Sequence, residues 1–349
     1  MAKIKAKDTI AATERILSDL KKKIYKPVYL LMGEEPYFVD IISDYIANNV
    51  LTPDERGFNQ LVLYGKDLSV AQVIDTARRY PMMSNRQVII VREAQQLKNF
   101  EELEVYTKNP LASTMLVLCF MHKSVDKRRG LYKSTEKGGE VLETAQFYDN
   151  ETVSWITRYL KEKNCDIMPD AAQILYDHLG ADLSRIAHEL DKLFTVLPEG
   201  SKKITSEHIE KNIGISREYN VFELGKALNT RNAAKVMRIV EHFRKNPNEY
   251  PMVLTISALF GHFLKILKLH LIQRNQPAID DYKLASEIGV SPFFISEYRT
   301  AMRNYPLGKT AEVIRLIREY DMRSKGWYNG AADHGELLRE LAVKIMVND

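Results

Sequence analysis

The chain has 349 residues, of which 45% are hydrophobic and 28% are charged, and its 50 Lys and Arg against 46 Asp and Glu give a net charge of +4. This composition excludes a disordered or fibrous chain and is typical of a soluble protein with two or three domains. The small positive charge is compatible with contact to nucleic acid, but it excludes a protein that coats DNA.

Cysteine content and hydropathy indicate the cellular compartment. Cys119 and Cys165 provide neither a disulfide framework nor a paired-cysteine zinc site, which fits a reducing cytoplasm. The N-terminal segment is basic but lacks the continuous apolar stretch of a signal peptide. No run approaches the roughly 20 apolar residues that span a bilayer. We therefore expect a cytoplasmic protein with no bound metal and no membrane partner.

The first part of the chain alternates between helical patterns and short apolar runs. Asp8 is predicted to cap a first helix over residues 8–24. The apolar runs are continuous, which is typical of parallel strands covered by helices on both faces. Predicted strands lie at 28–32, 59–64, 87–91, 114–120 and 140–144, and predicted helices follow Pro36, span 69–80 and lie near 99–107. These elements predict an α/β domain over residues 1–146.

Strand patterns stop at about residue 150. Helical patterns lie near 150–163, 169–180, 182–197 and 205–213, and a third block from about 215 onward is also helical. A long apolar stretch within that block runs from Val253 to Ile272. We therefore predict two all-helical domains, over residues 147–214 and 215–349.

The segment after the first strand has the position of a phosphate-binding loop without its residues. Such a loop needs G-x-x-x-x-G-K-[ST], because its backbone wraps the phosphates, its lysine neutralises them and its hydroxyl holds magnesium. Gly33 is followed instead by Glu34, Glu35 and Pro36. Carboxylates at a helix N-terminus occupy the place of an anionic ligand. The segment is predicted to repel a nucleotide.

The strand at 87–91 shows a similar departure. An ATPase carries carboxylates after this strand to hold magnesium and polarise water. This chain has Arg92 and then Glu93, so a cation stands where a magnesium ligand is needed. The alternative is that neither segment is related to nucleotide binding, since glutamates often follow apolar strands.

No other catalytic motif is visible. Residues 307–310 (LGKT) end like a phosphate loop, but Arg303 stands five positions before Gly308, and the segment follows a helical pattern. We predict that it begins a helix. The eight histidines form no H-E-x-x-H motif, and there is no G-x-S-x-G nucleophile turn. The sequence predicts neither a catalytic site nor a cofactor.

A methionine pair precedes the strand at 87–91. Pro81 ends the preceding helix, so Met82 and Met83 fall in a turn, where two neighbouring side chains do not easily enter one core. We expect at least one to face solvent. Two flexible apolar side chains in such a turn suit insertion into an apolar pocket of a partner. The alternative is that they fill gaps in the core.

In order and spacing, several segments resemble the delta-subunit family of the bacterial DNA polymerase III clamp loader. The segments that carry the resemblance are 26–40, 80–97, 125–133, 182–193, 219–228 and 284–305. The resemblance spans nearly the whole chain. It implies an AAA+-like α/β domain with a parallel sheet and a degenerate nucleotide site, followed by an all-helical lid domain and an all-helical collar domain for oligomerisation.

The resemblance also implies a function. The chain would bind and open the beta sliding clamp for loading on primed DNA, without hydrolysing ATP, as a non-catalytic subunit of the DNA polymerase III holoenzyme. Its partners would be the clamp, the gamma/tau ATPase subunits, the delta-prime subunit and primed DNA. Met82 and Met83, flanked by Pro81 and Ser84, match the hydrophobic pair that enters the clamp pocket. An aliphatic–aromatic pair is more typical there.

A second contact follows from the same resemblance. Tyr328, with Trp327 beside it, falls where delta subunits can place an aromatic ring against the template. Stacking on a base contributes roughly 1–3 kcal/mol without sequence preference. The alternative is that both rings pack within the collar.

Two other functions compete with this interpretation. Residues 283–301 have the spacing of a helix-turn-helix regulator, with Gly289 in the turn. The second helix begins with Pro292, Phe293 and Phe294, which cannot hydrogen-bond to base edges, so a packed helix pair is favoured. An active AAA+ ATPase would have to bind nucleotide despite the two glutamates that follow the first strand.

Overall fold

The computed structural model describes residues 4–197, 203–213, 219–327 and 333–347. The chain divides into two compact units, Met1–Phe147 and Tyr148–Asp349. The boundary lies next to the predicted end of the α/β domain at residue 146. The predicted division of the second unit at residues 214 and 215, into a lid and a collar, stays a prediction.

Helices and strands alternate in the first unit. The strands are β1 (Val28–Gly33), β2 (Gln60–Tyr64), β3 (Gln87–Arg92), β4 (Thr114–Cys119) and β5 (Glu140–Thr144), and the helices are α1 (Ala6–Lys21), α2 (Pro36–Asn49), α3 (Pro53–Asn59), α4 (Val70–Ala77), α5 (Glu104–Thr107) and α6 (Gly130–Gly138). All five strands lie where the apolar runs predict them. The prediction that Asp8 caps α1 is wrong, because the N-cap is Lys5 and Asp8 lies in the first turn.

The five strands form one parallel sheet in the order β2-β3-β4-β1-β5. Leu30 of β1 is aligned with Leu118 of β4 and with Val141 of β5. β1 and β4 are buried along their whole length, as their continuous apolar sequences predict. β2 is an edge strand, and its Leu61 and Val62 side chains are exposed.

Helices cover both faces of this sheet. On one face, Leu30 and Leu118 pack in a core with Val73 of α4 and Leu131 of α6. On the other face, α2 contacts β1, β3, β4 and β5, and α1 contacts β5. Because alternate residues of a strand point to opposite faces, the side chains on both faces of the central strands β1 and β4 must be apolar.

The second unit is predominantly helical. Its helices are α7 (Asp149–Glu162), α8 (Pro169–Leu179), α9 (Leu183–Val196), α10 (Ser206–Ile213), α11 (Val221–Asn229), α12 (Ala233–Lys245), α13 (Met252–Asn275), α14 (Asp281–Ile288), α15 (Ile295–Asn304), α16 (Leu307–Ser324) and α17 (His334–Val347). Two strands of two residues each, β6 (Asp166–Ile167) and β7 (Lys203–Ile204), pair in parallel. They correct the expectation that strands end with the first domain.

α13 is the central helix of this unit. Its Ile256, Leu259, Phe263 and Ile266 side chains are buried in a core shared with α11, α12, α16 and α17. Contrary to the sequence-based expectation, α13 is long and apolar enough to cross a bilayer by length and composition, alone among the helices searched in the described residues. Its buried stripe, however, packs against neighbouring helices, as in the core helix of a globular protein.

Candidate protein-docking site

The turn between α4 and β3 presents two methionines to solvent. We call residues 81–84 the methionine tip. The Met82 side chain is 62% exposed, and the Met83 side chain is fully exposed. Met83 also has a φ of 52°, in the left-handed region that non-glycine residues seldom adopt. Neither methionine fills a gap in the core of the first unit.

α3 contacts the methionine tip at two points. Asn59 accepts a hydrogen bond from the Met82 N–H at Oδ1 (2.6 Å) and donates one from Nδ2 to the Met82 carbonyl oxygen (2.9 Å). Glu55 lies one helical turn earlier and accepts a hydrogen bond from the Ser84 hydroxyl (2.8 Å). Residues four apart share one face of a helix. Met83 therefore lies between two anchored neighbours.

The Glu55 carboxylate also caps α3. Its Oε2 accepts hydrogen bonds from the Thr52 N–H and the Thr52 hydroxyl, both at 2.9 Å, in a capping box. The hydrogen bond from the Thr52 N–H lowers the pKa of Glu55 most, and the Ser84 hydroxyl lowers it further. One carboxylate thus links the start of the helix to the methionine tip.

Gln87 fixes the β3 side of the same region. Its side-chain amide donates to the Thr114 hydroxyl (2.7 Å) and lies within hydrogen-bonding distance of the Arg79 carbonyl oxygen. The Thr114 hydroxyl in turn donates to the Ala77 carbonyl oxygen at the end of α4 (2.9 Å). The Gln87 side chain is buried, so these bonds hold the end of α4 against β3 and β4.

Sequence reasoning missed Asn59, Glu55 and Gln87. The only signal for Gln87 is a polar residue at the start of an otherwise apolar strand. Asn59 and Glu55 belong to α3, which the hydrophobic periodicity does not reveal. Their roles depend on partners that are distant in sequence, since Asn59 and Met82 are 23 residues apart.

Two exposed aromatic side chains lie beside these residues in the sequence. Phe58 precedes Asn59 in α3 and is 75% exposed, and Tyr80 precedes Pro81 and is 77% exposed. Several large exposed apolar side chains in one region are characteristic of an interaction surface. The methionine tip and the residue of α3 that bonds to it thus each have an exposed aromatic residue next to them in the sequence.

The turn between β1 and α2 uses its own backbone donors. The Gly33 N–H donates to the Lys123 carbonyl oxygen (3.1 Å), and the Glu34 N–H donates to the Thr144 carbonyl oxygen (3.1 Å). The Glu35 N–H donates to the Thr144 hydroxyl (3.0 Å). These successive N–H groups are bonded to protein acceptors, whereas a phosphate-binding loop directs such groups at its ligand.

The next two positions complete this arrangement. Pro36 has no N–H, and the Tyr37 N–H donates to Glu35 Oε1 (3.1 Å), which makes Glu35 the N-cap of α2. The Glu35 side chain is 7% exposed, whereas Glu34 faces solvent. A carboxylate at a helix N-terminus interacts favourably with the helix dipole. Glu35 therefore takes the position that an anionic ligand would occupy.

Arg92 and Glu93 lie at the end of β3. Arg92 forms ion pairs with Asp40 (3.1 Å) and Asp44 (2.5 Å) of α2. Burial raises the pKa of Asp40, and the Arg92 charge partly opposes that rise. Glu93 adopts a left-handed φ of 51° at the start of a short 3₁₀ turn. The sequence predicts a cation in place of a magnesium ligand at the end of β3. The guanidinium of Arg92 is that cation, and it is paired with carboxylates of α2.

Of the two aromatic residues predicted to approach DNA, the structure describes only Trp327. Trp327 follows α16 and is 63% exposed. Its backbone N–H donates to the Met322 carbonyl oxygen (3.1 Å). The exposed ring is not packed in the core of the second unit. Tyr328 lies outside the described residues. Contact with DNA stays a prediction for both.

The helix-turn-helix segment forms a packed helix pair. Leu284 and Ile288 of α14 and Ile295 of α15 are buried together with Leu269 of α13. Phe294, in the short turn before α15, is also buried. These contacts favour the packed pair over a helix that reads base edges.

The LGKT segment begins α16 at Leu307, as predicted. Thr310 is buried, and its hydroxyl donates to the Tyr305 carbonyl oxygen (2.7 Å). The hydroxyl that a phosphate loop would give to magnesium is therefore used within the helix start. Within the described part of the chain, no group of three or more His, Cys, Asp or Glu residues is placed to hold a metal ion.

Comparison with known proteins identifies the relatives of this chain. Residues 29–145, which include the methionine tip and the turn between β1 and α2, match the family model described as DNA polymerase III, delta subunit. The DNA polymerase III subunit delta of Bacillus subtilis (strain 168) is 26% identical over 344 residues, which cover 95% of this chain and 96% of that protein. Over nearly its whole length, the chain is similar to a DNA polymerase III delta subunit.

A solved structure agrees on the fold. The Bacillus subtilis DNA clamp loader delta protein (YqeN) aligns over 96% of this chain and 99% of its own, with a TM-score of 0.55 and 23% identity. The Thermotoga maritima RuvB branch migration motor aligns over 86% of this chain and 88% of its own, with a TM-score of 0.37 and 16% identity. The likeness to the clamp loader delta protein and the order of elements confirm the predicted fold class: an α/β domain with a parallel sheet precedes a helical part.

Proposed function

We propose that this chain is the delta subunit of a DNA polymerase III clamp loader, and that it binds the beta sliding clamp through Met82 and Met83 and opens it without hydrolysing ATP. The observation that carries this proposal is the pair of exposed methionines on an anchored turn, within the region that matches the delta family. Pro81 and Ser84 border the pair and belong to the same contact.

Burial of the methionines supplies binding free energy. Each fully buried methionine contributes about 1.5–3 kcal/mol of transfer free energy. Two of them supply a large share of the roughly 8 kcal/mol that corresponds to micromolar affinity, before the entropy cost of association. The thioether side chain adapts to an irregular pocket, which suits a pair that replaces the aliphatic–aromatic residues typical of the family.

To open the clamp, the chain must bind the open clamp more tightly than the closed clamp. A ligand shifts a conformational equilibrium only as far as it binds one state more tightly than the other. Under this proposal, the methionine tip binds a clamp with an open interface more tightly than a closed one. Each tenfold preference shifts the equilibrium by about 1.4 kcal/mol.

The absence of ATP hydrolysis is proposed from the turn between β1 and α2. Its N–H groups bond to Lys123, Thr144 and Glu35, and Arg92 is paired with α2. ATP control would come from the gamma/tau ATPase subunits, which the collar over residues 215–349 would join together with delta-prime. The chain would act as a non-catalytic part of the holoenzyme on primed DNA, with Trp327 and Tyr328 near the template.

The decisive experiment replaces both methionines in the full chain. Met82→Ala/Met83→Ala should weaken binding of purified sliding clamp by roughly 100-fold or more, because the transfer free energy of two side chains is lost. Calorimetry or surface binding measures this affinity with and without ATP, and ATP should leave the affinity of the isolated chain unchanged.

A matched control is Tyr282→Ala, which truncates another exposed apolar side chain in the second unit. This variant should bind the clamp like the unaltered chain, and both variants should still assemble with the ATPase subunits. Clamp binding that survives the double methionine substitution contradicts the assignment of the tip. Saturable ATP binding by the purified chain contradicts the nucleotide-independent part of the proposal.

A further inference from the structure

We propose that Asn59 and Glu55 are positioning residues of the methionine tip, and that they hold the turn in the conformation that presents Met83 to the clamp. This inference rests on the proposed function and adds to it the residues that pre-organise the contact. Neither residue belongs to the apolar pair itself. Their effect on binding would be transmitted through the backbone of Met82 and the side chain of Ser84.

The Asn59 side-chain amide pairs with both backbone groups of Met82, as the backbone of an adjacent strand would. Its oxygen accepts from the Met82 N–H, and its nitrogen donates to the Met82 carbonyl oxygen. Both backbone groups of Met82 are thus paired with one side chain, which is 4% exposed. A buried side chain at this position cannot itself contact a docked protein unless the unit rearranges. Asn59 therefore acts through the turn.

Glu55 provides the second fixed point. Its hydrogen bond with the Ser84 hydroxyl holds the residue that follows Met83. The same hydroxyl accepts a hydrogen bond from the Arg86 N–H (3.3 Å), so Ser84 also closes a local turn. Because Glu55 and Asn59 are four residues apart in α3, one helical face fixes both neighbours of Met83.

The conformation of Met83 explains why two fixed points are needed. A non-glycine residue with a φ of 52° has unfavourable backbone energy and persists only where the surrounding structure holds it. If either anchor is removed, the turn can relax toward more common φ values. The fully exposed Met83 side chain would then sample other directions, and fewer molecules would present it in the binding geometry.

The expected loss of clamp affinity follows from the population of the turn conformation that can bind the clamp. Apparent affinity falls in proportion to the fraction of molecules that hold that conformation. A turn released so that about one molecule in ten is competent binds roughly tenfold more weakly. The loss should appear mainly in the association rate, because binding then waits for a minor conformation.

The test compares two matched pairs of variants in the full chain, with purified sliding clamp as the probe. Asn59→Ala removes both bonds to Met82, whereas Asn59→Asp keeps an acceptor for the Met82 N–H. Glu55→Ala removes the bond to Ser84 and the capping bonds from Thr52, whereas Glu55→Gln keeps one oxygen acceptor. We expect roughly tenfold weaker binding for each alanine variant and partial recovery for its conservative counterpart, which keeps only some of the original bonds.

Coupling to Met83 separates positioning from a general loss of structure. If Asn59 acts through the tip, Asn59→Ala should weaken binding much less in a Met83→Ala background than in the unaltered chain. A purely structural defect would weaken binding equally in both backgrounds. Thermal unfolding of every variant reports the folded fraction, and if Asn59→Ala does not fold, Asn59→Asp and the Glu55 pair decide the matter.

The outcomes distinguish this inference from the function on which it rests. If the methionine pair is required but the alanine variants at Asn59 and Glu55 bind normally, or if their effects are unchanged by Met83→Ala, the positioning role is overturned and the proposed function stands. If the unaltered chain does not bind the clamp, both proposals are overturned. Weaker binding that is coupled to Met83 and recovered by the conservative variants supports the inference.

Discussion

At the scale of single residues, His262 shows how packing sets a protonation state. Its Nε2 lies 2.7 Å from Asn229 Oδ1, and its Nδ1 lies 3.4 Å from the Tyr298 hydroxyl. Burial lowers the pKa of His262 to about 3, and the nearby charge of Lys265 lowers it further. The neutral ring can donate to Asn229 and accept from Tyr298, so the folded second unit holds it uncharged.

His262 should make the second unit sensitive to acid. Its pKa is about 3 in the folded state against an ordinary 6.5, so the unfolded state binds the proton first as the pH falls. The stabilisation is complete above pH 6.5 and is lost toward pH 3, by up to about 1.4 kcal/mol per pH unit. His262→Gln, which does not titrate, should show a shallower loss of unfolding free energy over this range.

Denaturant titration of the full chain at several pH values measures this difference. The Gln variant can keep a hydrogen bond to Asn229, so its stability near neutral pH serves as the internal reference. Equal pH dependence in the two proteins would show that other groups are responsible for the acid sensitivity.

The exposure of the methionine tip could be predicted at this scale, whereas its anchors could not. Pro81 and the apolar strand that follows define a turn from local sequence alone. Asn59 and Glu55 act through contacts that span more than 20 residues of sequence. Helical or strand periodicity carries no information about such partners.

At the scale of elements, Gly33 shows how closely β1 and β5 approach. Gly33 has a φ of 129°, and a Cβ at this position would lie 2.3 Å from the Thr144 carbonyl oxygen and 2.5 Å from the Thr144 nitrogen. Both the conformation and the close backbone contact require glycine. The turn that follows β1 depends on this approach, because Thr144 accepts its hydrogen bonds.

Gly33→Ala should therefore destabilise the first unit. We expect the free energy of unfolding to fall by about 1–3 kcal/mol, because the backbone must shift to relieve the contact. Gly57→Ala is the matched control, since Gly57 lies within α3 and a methyl group added there would meet no neighbouring atom within 4 Å. That variant should gain about 0.5–1 kcal/mol from helix propensity.

Urea unfolding of both variants checks these signs. A Gly33→Ala chain as stable as the original would mean that the strands can separate without cost. A destabilised Gly57→Ala chain would mean that α3 does not tolerate a side chain at this position.

Element boundaries were predicted less accurately than the presence of the elements. The predicted helix over 69–80 ends instead at Ala77, because a proline ring at position 81 conflicts with the carbonyl four residues earlier and restricts the residue before it. α3 was missed because seven residues with few apolar positions give no clear period. β6 and β7 have two residues each, too few for any strand pattern.

At the scale of the whole molecule, each unit has its own hydrophobic core. The sheet core lies within the first 147 residues, and the core around α13 lies within the remainder. Every described contact of the methionine tip belongs to the first unit. The fold class could be predicted from the switch between apolar strands and helical periodicity, whereas the predicted division of the helical part at residues 214 and 215 stays a prediction.

This organisation predicts that residues 1–147 fold when expressed alone. The fragment should unfold cooperatively and bind purified clamp with the affinity of the full chain, because the tip and both of its anchors are included. Residues 148–349 should not bind the clamp. Circular dichroism and calorimetry measure the two properties, and a folded fragment that fails to bind would show that the second unit contributes to the contact.

The turn after β1 has a consequence for protein engineering. Glu35→Lys would supply the missing cation but would remove the cap of α2, while the N–H groups of Gly33 and Glu34 would stay bonded to Lys123 and Thr144. A proline in the next position would still offer no donor. No single replacement yields a triphosphate site, so a designer would have to rebuild the loop and its receiving strand together.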